Sequence, residues 1–142
     1  AASVTIQAAA QEKFRVEIIR EIEMPRDQIF DNATLWLAES FRSSKAVIEL
    51  RDKELGTIIG NGALDLPIQW GARMPITFKL RVDARDNRYR LTFSDVTLVD
   101  NFGSKPIESA NRTALEPRAR AKFEEMAEGF HSYIAAAKQK AW

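Results

Sequence analysis

A chain of 142 residues, 45% of them hydrophobic, is long enough for one core and too short for two of ordinary size, so residues 13–142 are expected to form a single domain. The 21 basic and 20 acidic residues leave a formal charge of +1, so no global field favours nucleic acid or an anionic membrane, and a charge-driven partner has to read a local patch. The lack of cysteine excludes a disulfide, a thiolate nucleophile and a Cys-ligated metal, and no apolar run approaches the roughly 18–20 residues of a membrane span.

Residues 1–12 carry only Val4 and Ile6 as large apolar groups and are expected to be a loose N-terminal arm. The start at Ala1-Ala2-Ser3 without an initiator methionine suggests removal of an export signal. Over residues 13–23, Phe14, Val16 and Ile18 alternate with Arg15 and Glu17, which predicts a strand, and Ile19 and Ile22 break the phase as a bulge or bend would. Pro25 then suits the opening of a helix, because its missing N–H has no partner there. In that helix Ile29, Phe30, Ala33, Trp36, Leu37 and Phe41 lie on one stripe, with Asp31, Asn32, Glu39 and Arg42 on the wet side.

From Ala46 the period becomes two. Ala46, Ile48 and Leu50 are expected on one face, Val47, Glu49 and Arg51 on the other, and a polar link ending in Gly56 returns the chain as an antiparallel hairpin. The next strand is long, with Ile58, Gly60, Gly62, Leu64, Leu66, Ile68 and Trp70 on one face; Pro67 argues against a central position for its second half. Ile76, Phe78, Leu80, Val82 and Ala84 give the clearest alternation in the chain. Asp86-Asn87 turns it back into residues 88–99, where Tyr89, Leu91 and Phe93 face in and Asp95 shifts the phase, which predicts a bulge. Residues 100–116 read as a long loop. From Pro117 a second helix places Ala119, Phe123, Met126, Ala127, Phe130, Ile134 and Ala137 on one stripe, with Gly129 as a bend or a close packing contact.

The order strand, helix, four strands, helix predicts an α+β fold in which an antiparallel sheet carries both helices on its apolar face. The helix with Phe30, Trp36 and Leu37, followed by Ser44-Lys45-Ala46-Val47-Ile48, Asp52-Lys53-Glu54 and Gly56-Thr57-Ile58-Ile59-Gly60-Asn61-Gly62, resembles the bacterial domain of unknown function DUF4468, whose members are often exported or lipid-anchored. The resemblance covers roughly residues 14–99. It implies a TBP-like fold in the order β-α-β-β-β-β-α, and no activity or catalytic residues. The N-terminal cysteine that anchors lipidated members is missing here.

Alternation puts Lys79, Arg81, Arg85, Arg88 and Arg90 on the sheet face away from the core. Two readings are open: the guanidinium groups hold phosphates, carboxylates or sulfated sugars, or the face is a solvated one paired across strands with Glu17, Glu49 and Asp83. No aromatic is interleaved among these charges, which removes the usual stacking signal for single-stranded nucleic acid. A second basic cluster, Arg112, Arg118, Arg120 and Lys122, holds an anion or an acidic segment, or pairs with a carboxylate such as Glu116.

Gly56, Gly60 and Gly62 do not make a phosphate loop, since no helix follows them. His131, the only histidine, excludes a multi-His metal site within one chain, and reads as an ordinary surface or half-buried side chain. Asp65, Asp95 and Asp100 have no spacing that supports a general acid and base. Trp70 and Trp142 make a contact patch if exposed, or Trp70 caps the core edge with the tail packed on it.

Together these features lead to the expectation of a non-enzymatic, exported or periplasmic binding or accessory module without cofactor or metal, using the outer sheet face for a protein or anionic ligand. The alternative is a structural domain that homodimerises through an edge strand or the last helix, and a third reading is an enzyme acting on a small substrate.

Overall fold

The computed structural model describes residues 13–40, 47–101, 103–109 and 115–139. The expected arm over residues 1–12, the stripe residue Phe41, the strand residue Ala46, Arg112 and Trp142 lie outside them. The elements run β1 (Val16–Glu21), α1 (Arg26–Ser40), β2 (Val47–Asp52), β3 (Thr57–Pro67), β4 (Arg73–Arg85), β5 (Arg88–Asp100), β6 (Gly103–Pro106) and α2 (Leu115–Gln139). All the strands join one antiparallel sheet in the order β1-β5-β4-β3-β2, with β6 also on β5. The fold is the α+β arrangement expected, with both helices packed on one face.

Period-two alternation sends one half of β3, β4 and β5 under the helices. Ile58 and Leu66 of β3, the set Ile76, Phe78, Leu80, Val82 and Ala84 of β4, and Tyr89, Leu91, Phe93, Val96 and Leu98 of β5 are all buried. Helix α1 lays Ile29, Phe30, Ala33, Trp36 and Leu37 on this layer. Helix α2 adds Leu115, Ala119, Phe123, Ala127, Phe130 and Ile134 at three- and four-residue spacing. Aromatic rings join the layers: Phe93 stacks on Phe123 at 4.3 Å, Phe78 meets Phe123 edge-on at 5.2 Å, and Tyr89 meets Phe130 at 4.8 Å. Such pairs add about 0.5–1.5 kcal/mol each beyond the area they bury. Trp36 closes on Phe130 at 5.0 Å and couples the two helices.

The turn at Asp86-Asn87 fastens the start of α1 to the sheet. Asn87 takes a φ of 67°, exchanges backbone hydrogen bonds with Ile22 and Met24, and accepts the Met24 N–H on its side-chain oxygen at 3.1 Å. The Asp86 carboxylate accepts the Arg26 N–H at 2.8 Å and so caps α1.

Five expectations change. In β1 the register with β5 runs unbroken from Val16 to Glu21, so Ile19 marks no bulge; it stands on the outer face, 59% exposed. In β2 the register slips between Ile48 and Leu50. Glu49 is the extra residue, so Leu50 is turned to the outer face and Arg51 to the helix side, where its guanidinium lies 4.8 Å from the Phe30 ring. Part of the loop over residues 100–116 is strand β6, which pairs with Thr97–Asp100; its four residues are exposed, so it leaves no hydrophobic pattern to read. The Trp70 side chain is 97% exposed and caps nothing, because β3 ends at Pro67 and a tight turn follows. Gly129 is exposed, and a Cβ placed there would meet nothing within 4 Å, so it makes no close contact.

The expected bulge in β5 is present, with Asp95 at a φ of 51° and the register shifted opposite Thr77 and Lys79. Among the described residues the second half of β3, from Gly62 to Pro67, pairs only with β4, which is the edge position Pro67 requires. No helix among the described residues is long and apolar enough to cross a membrane.

Two glycines give opposite predictions. Gly129→Ala should raise stability by about 1 kcal/mol, read as a higher denaturation midpoint. Gly56 has a φ of +70° and its Cβ would sit 2.7 Å from the Ala84 carbonyl oxygen, so Gly56→Ala should lower stability by about 1–3 kcal/mol.

Candidate functional site

Strands β4 and β5 are each 13 residues long and run in register across the middle of the sheet. Their outward residues form cross-strand rows: Arg81 opposite Thr92, Asp83 opposite Arg90, and Arg85 opposite Arg88. Thr57 of β3 stands opposite Asp83, and Glu21 of β1 opposite Arg88. All five basic residues expected on this face are there.

They are not equivalent. Asp83 is a hub: its carboxylate accepts the Thr57 hydroxyl at 2.9 Å, the Arg81 Nε–H at 3.1 Å to both oxygens, and the Arg90 Nε–H and Nη2–H at 3.3 and 3.2 Å. Burial pushes the Asp83 pKa up, but the Thr57 hydroxyl and the Arg81 and Arg90 guanidiniums together hold it below the usual value. Arg90 also reaches Glu17 at 4.0 Å, and Lys79 reaches Glu49 at 3.9 Å. Glu49 in turn accepts the Asn61 side-chain amide. These pairings engage Lys79, Arg81 and Arg90 within the chain.

Arg85 and Arg88 differ. They are exposed, directly opposed in register, and take no ion-pair partner among the described residues. Like charges set directly across a sheet destabilise it. Both line a recess of about 120 Å³ together with Ile19, Asp83, Tyr89 and Arg90. Arg85 also borders a broader depression beside Pro25, Arg26, Asp27 and Asp86. Two adjacent planar forks of N–H donors suit the paired oxygens of a carboxylate, phosphate or sulfate.

The three described residues of the second basic cluster make separate contacts. The Arg118 Nη1–H donates to the Pro67 carbonyl at 3.4 Å, the Arg120 guanidinium lies 5.6 Å from the Phe14 ring, and Lys122 pairs with Glu125 at 3.6 Å. Glu116, the expected partner, pairs with none of them in the described contacts. Gly60 and Gly62 are buried within β3. Asp65 and Asp95 are exposed on β3 and β5, with β4 between them, and Asp100 ends β5.

One contact had no signal in the sequence. The Tyr89 hydroxyl lies 2.8 Å from His131 Nδ1, joining β5 to α2. Burial raises the Tyr89 pKa to about 12, with Arg20 opposing and Glu128 adding to the rise. Burial, with Arg20, lowers that of His131, and Glu128 partly offsets the shift. Burial thus disfavours the charged form of both partners in this contact. The spacing of 42 residues between the partners is invisible to any periodicity.

With this geometry in place, the family model described as a domain of unknown function (DUF4468) with TBP-like fold matches residues 16–98. The chain belongs to this DUF4468 family. No curated protein matches it. A TBP-like protein from Parabacteroides distasonis is 21% identical with a TM-score of 0.68, over 92% of this chain and 95% of that one. A DUF4468 family protein from Bacteroides ovatus is 17% identical with a TM-score of 0.65, over 88% and 85%. At these identities the likeness concerns the fold, and the roles of Arg85, Arg88 and Asp83 in this DUF4468 chain rest on their own geometry.

Two pH-linked outcomes follow. Asp83→Asn should lower stability at pH 7 by about 1–3 kcal/mol. The native pKa of Asp83 is depressed, so its stabilisation is present above the unfolded value near 3.9 and is lost as the pH falls below it; thermal midpoints of the variant should therefore fall less than those of the wild type on acidification through that range. The native pKa of His131 is depressed, so the native state binds fewer protons and stability declines as the pH drops through the unfolded value of about 6.5. His131→Gln should flatten that decline, measured as thermal midpoint against pH.

Proposed function

We propose that this DUF4468 chain is a non-enzymatic binding or accessory module that holds an anionic partner on its outer sheet face, at the corner formed by Arg85 and Arg88. The observation that carries the reading is that these two guanidiniums stand opposed without an ion-pair partner among the described residues, while Lys79, Arg81 and Arg90 are engaged by Glu49, Asp83 and Glu17. An oxyanion placed between them relieves a like-charge contact and receives two charge-assisted hydrogen-bonding forks. The partner presents a carboxylate, phosphate or sulfate, either as a small molecule or on the surface of a protein. We place the protein outside the cytoplasm, as the family resemblance implies; fractionation of cells carrying the natural gene should recover it from the periplasm or envelope, and recovery from the cytoplasm would contradict this.

Calorimetric titration with citrate, inorganic phosphate and a short acidic peptide tests the site. At least one should bind, and Arg85→Gln with Arg88→Gln should weaken it tenfold or more, with the thermal midpoint unchanged or raised. Equal binding by the double variant would remove the reading.

The second reading is self-association through β2. This edge strand exposes Ile48 and Leu50 at 41% each, and an uncovered edge is a site for pairing. Sedimentation should then show a dimer that Leu50→Lys converts to monomer; a monomer at all concentrations would dismiss it.

A further inference from the structure

The turn between β3 and β4 contains a residue that its backbone disfavours. Trp70 has φ 63° and ψ 29°, Gly71 has φ 72°, and the Ala72 N–H donates to the Gln69 carbonyl at 3.1 Å. Two successive central residues at positive φ define a type I′ turn, whose first central position favours Asn, Asp or Gly. A bulky aromatic in the left-handed region is a true outlier, and strain of this kind collects at functional positions. Packing does not compensate it, because the Trp70 side chain is 97% exposed. The turn thus gives up stability to hold an indole in water at the tip of a hairpin.

The surroundings narrow what the indole is for. In a chain that is 29% charged, the eleven-residue stretch from Leu66 to Ile76 holds a single charged residue, Arg73. Pro67, Gln69, Ala72, Arg73 and Pro75 are exposed beside Trp70. Arg118 adds a second cation at the base of the hairpin through its bond to the Pro67 carbonyl, and the nearest acid along β3 is Asp65. The tip carries an exposed indole and no charge, with Arg73 and Arg118 at its base. An amphipathic ring of this kind sits at the headgroup level of a bilayer, where arginine groups meet anionic lipid phosphates.

We infer that the β3–β4 hairpin is a lipid-contacting finger, in which Trp70 enters the interfacial layer of an anionic membrane and Arg73 and Arg118 contact the headgroups. The site is separate from the Arg85 and Arg88 corner, which lies at the opposite end of β4. The contact is shallow and reversible, since one aromatic and two cations are far from a spanning anchor.

The test is flotation of the protein with vesicles of phosphatidylcholine alone and of phosphatidylcholine with an equal part of phosphatidylglycerol. Binding to the anionic vesicles is expected, with emission from Trp70 shifted to the blue in a variant carrying Trp36→Phe and Trp142→Phe. Trp70→Asn suits the turn better, so it should raise the thermal midpoint while lowering vesicle binding tenfold or more; this outcome separates contact from folding even if the double Phe variant does not fold. Arg73→Gln should weaken binding several-fold, and Arg85→Gln with Arg88→Gln should leave it unchanged. Absence of binding to anionic vesicles, or equal binding by the Trp70→Asn variant, would overturn the inference. A Trp70-dependent complex with a protein in the absence of any vesicle binding would reassign the finger to a protein pocket.

Discussion

Among the described residues the sheet is covered on one side only, and this is the constraint on which the molecule depends. Both helices lie on the face that carries Phe78, Leu80, Tyr89, Leu91 and Phe93, and the ring contacts of Phe123 and Phe130 hold α2 there. Every second residue of the central strands must therefore meet water, and it must do so in a flat array where neighbours stand about 5 Å apart. Charge is the natural occupant of such a face. Charge in close rows in turn has to be balanced locally, which is the task of Asp83.

The balance is uneven along the rows. Asp83 sits where three strands bring Thr57, Arg81 and Arg90 within hydrogen-bonding reach, and Glu17 and Glu49 neutralise the flanks. The last row before the Asp86-Asn87 turn has no such acid within ion-pairing distance among the described residues. Asp86 is the closest carboxylate in sequence, yet it serves the N-terminus of α1. The turn that fastens the helix to the sheet thus engages the acid adjacent to Arg85 in sequence. A structural need at the turn leaves Arg85 and Arg88 beside it without an ion pair among the described residues.

Much of this arrangement was legible beforehand, for physical reasons. The buried alternation of β4 and the stripes of α1 and α2 are strong because each element has one covered face, and the bulge at Asp95 declared itself by changing which residues were apolar. Elements held by backbone alone were silent: Gly103–Pro106 pairs with β5 without burying a side chain. Ile19 misled for the opposite reason, since an apolar residue on the wet face imitates a shift of phase. Glu49 hid its bulge because Ile48, Glu49 and Leu50 continue a regular alternation. At the site, the side of the sheet taken by each arginine could be read from period two, but which arginines were already engaged depended on register across four strands, which no single strand contains. Trp70 extended an apolar pattern into a turn whose dihedral angles only the structure gives.

The division of the outer face into an engaged part and an open corner can be observed in solution from the arginine Nε–Hε signals in a nitrogen-resolved NMR spectrum. Arg81 and Arg90 should show slowed exchange with water and no response to added phosphate, whereas Arg85 and Arg88 should exchange rapidly and shift together on titration. Uniform behaviour of all four, or a response confined to Arg81 and Arg90, would contradict the account.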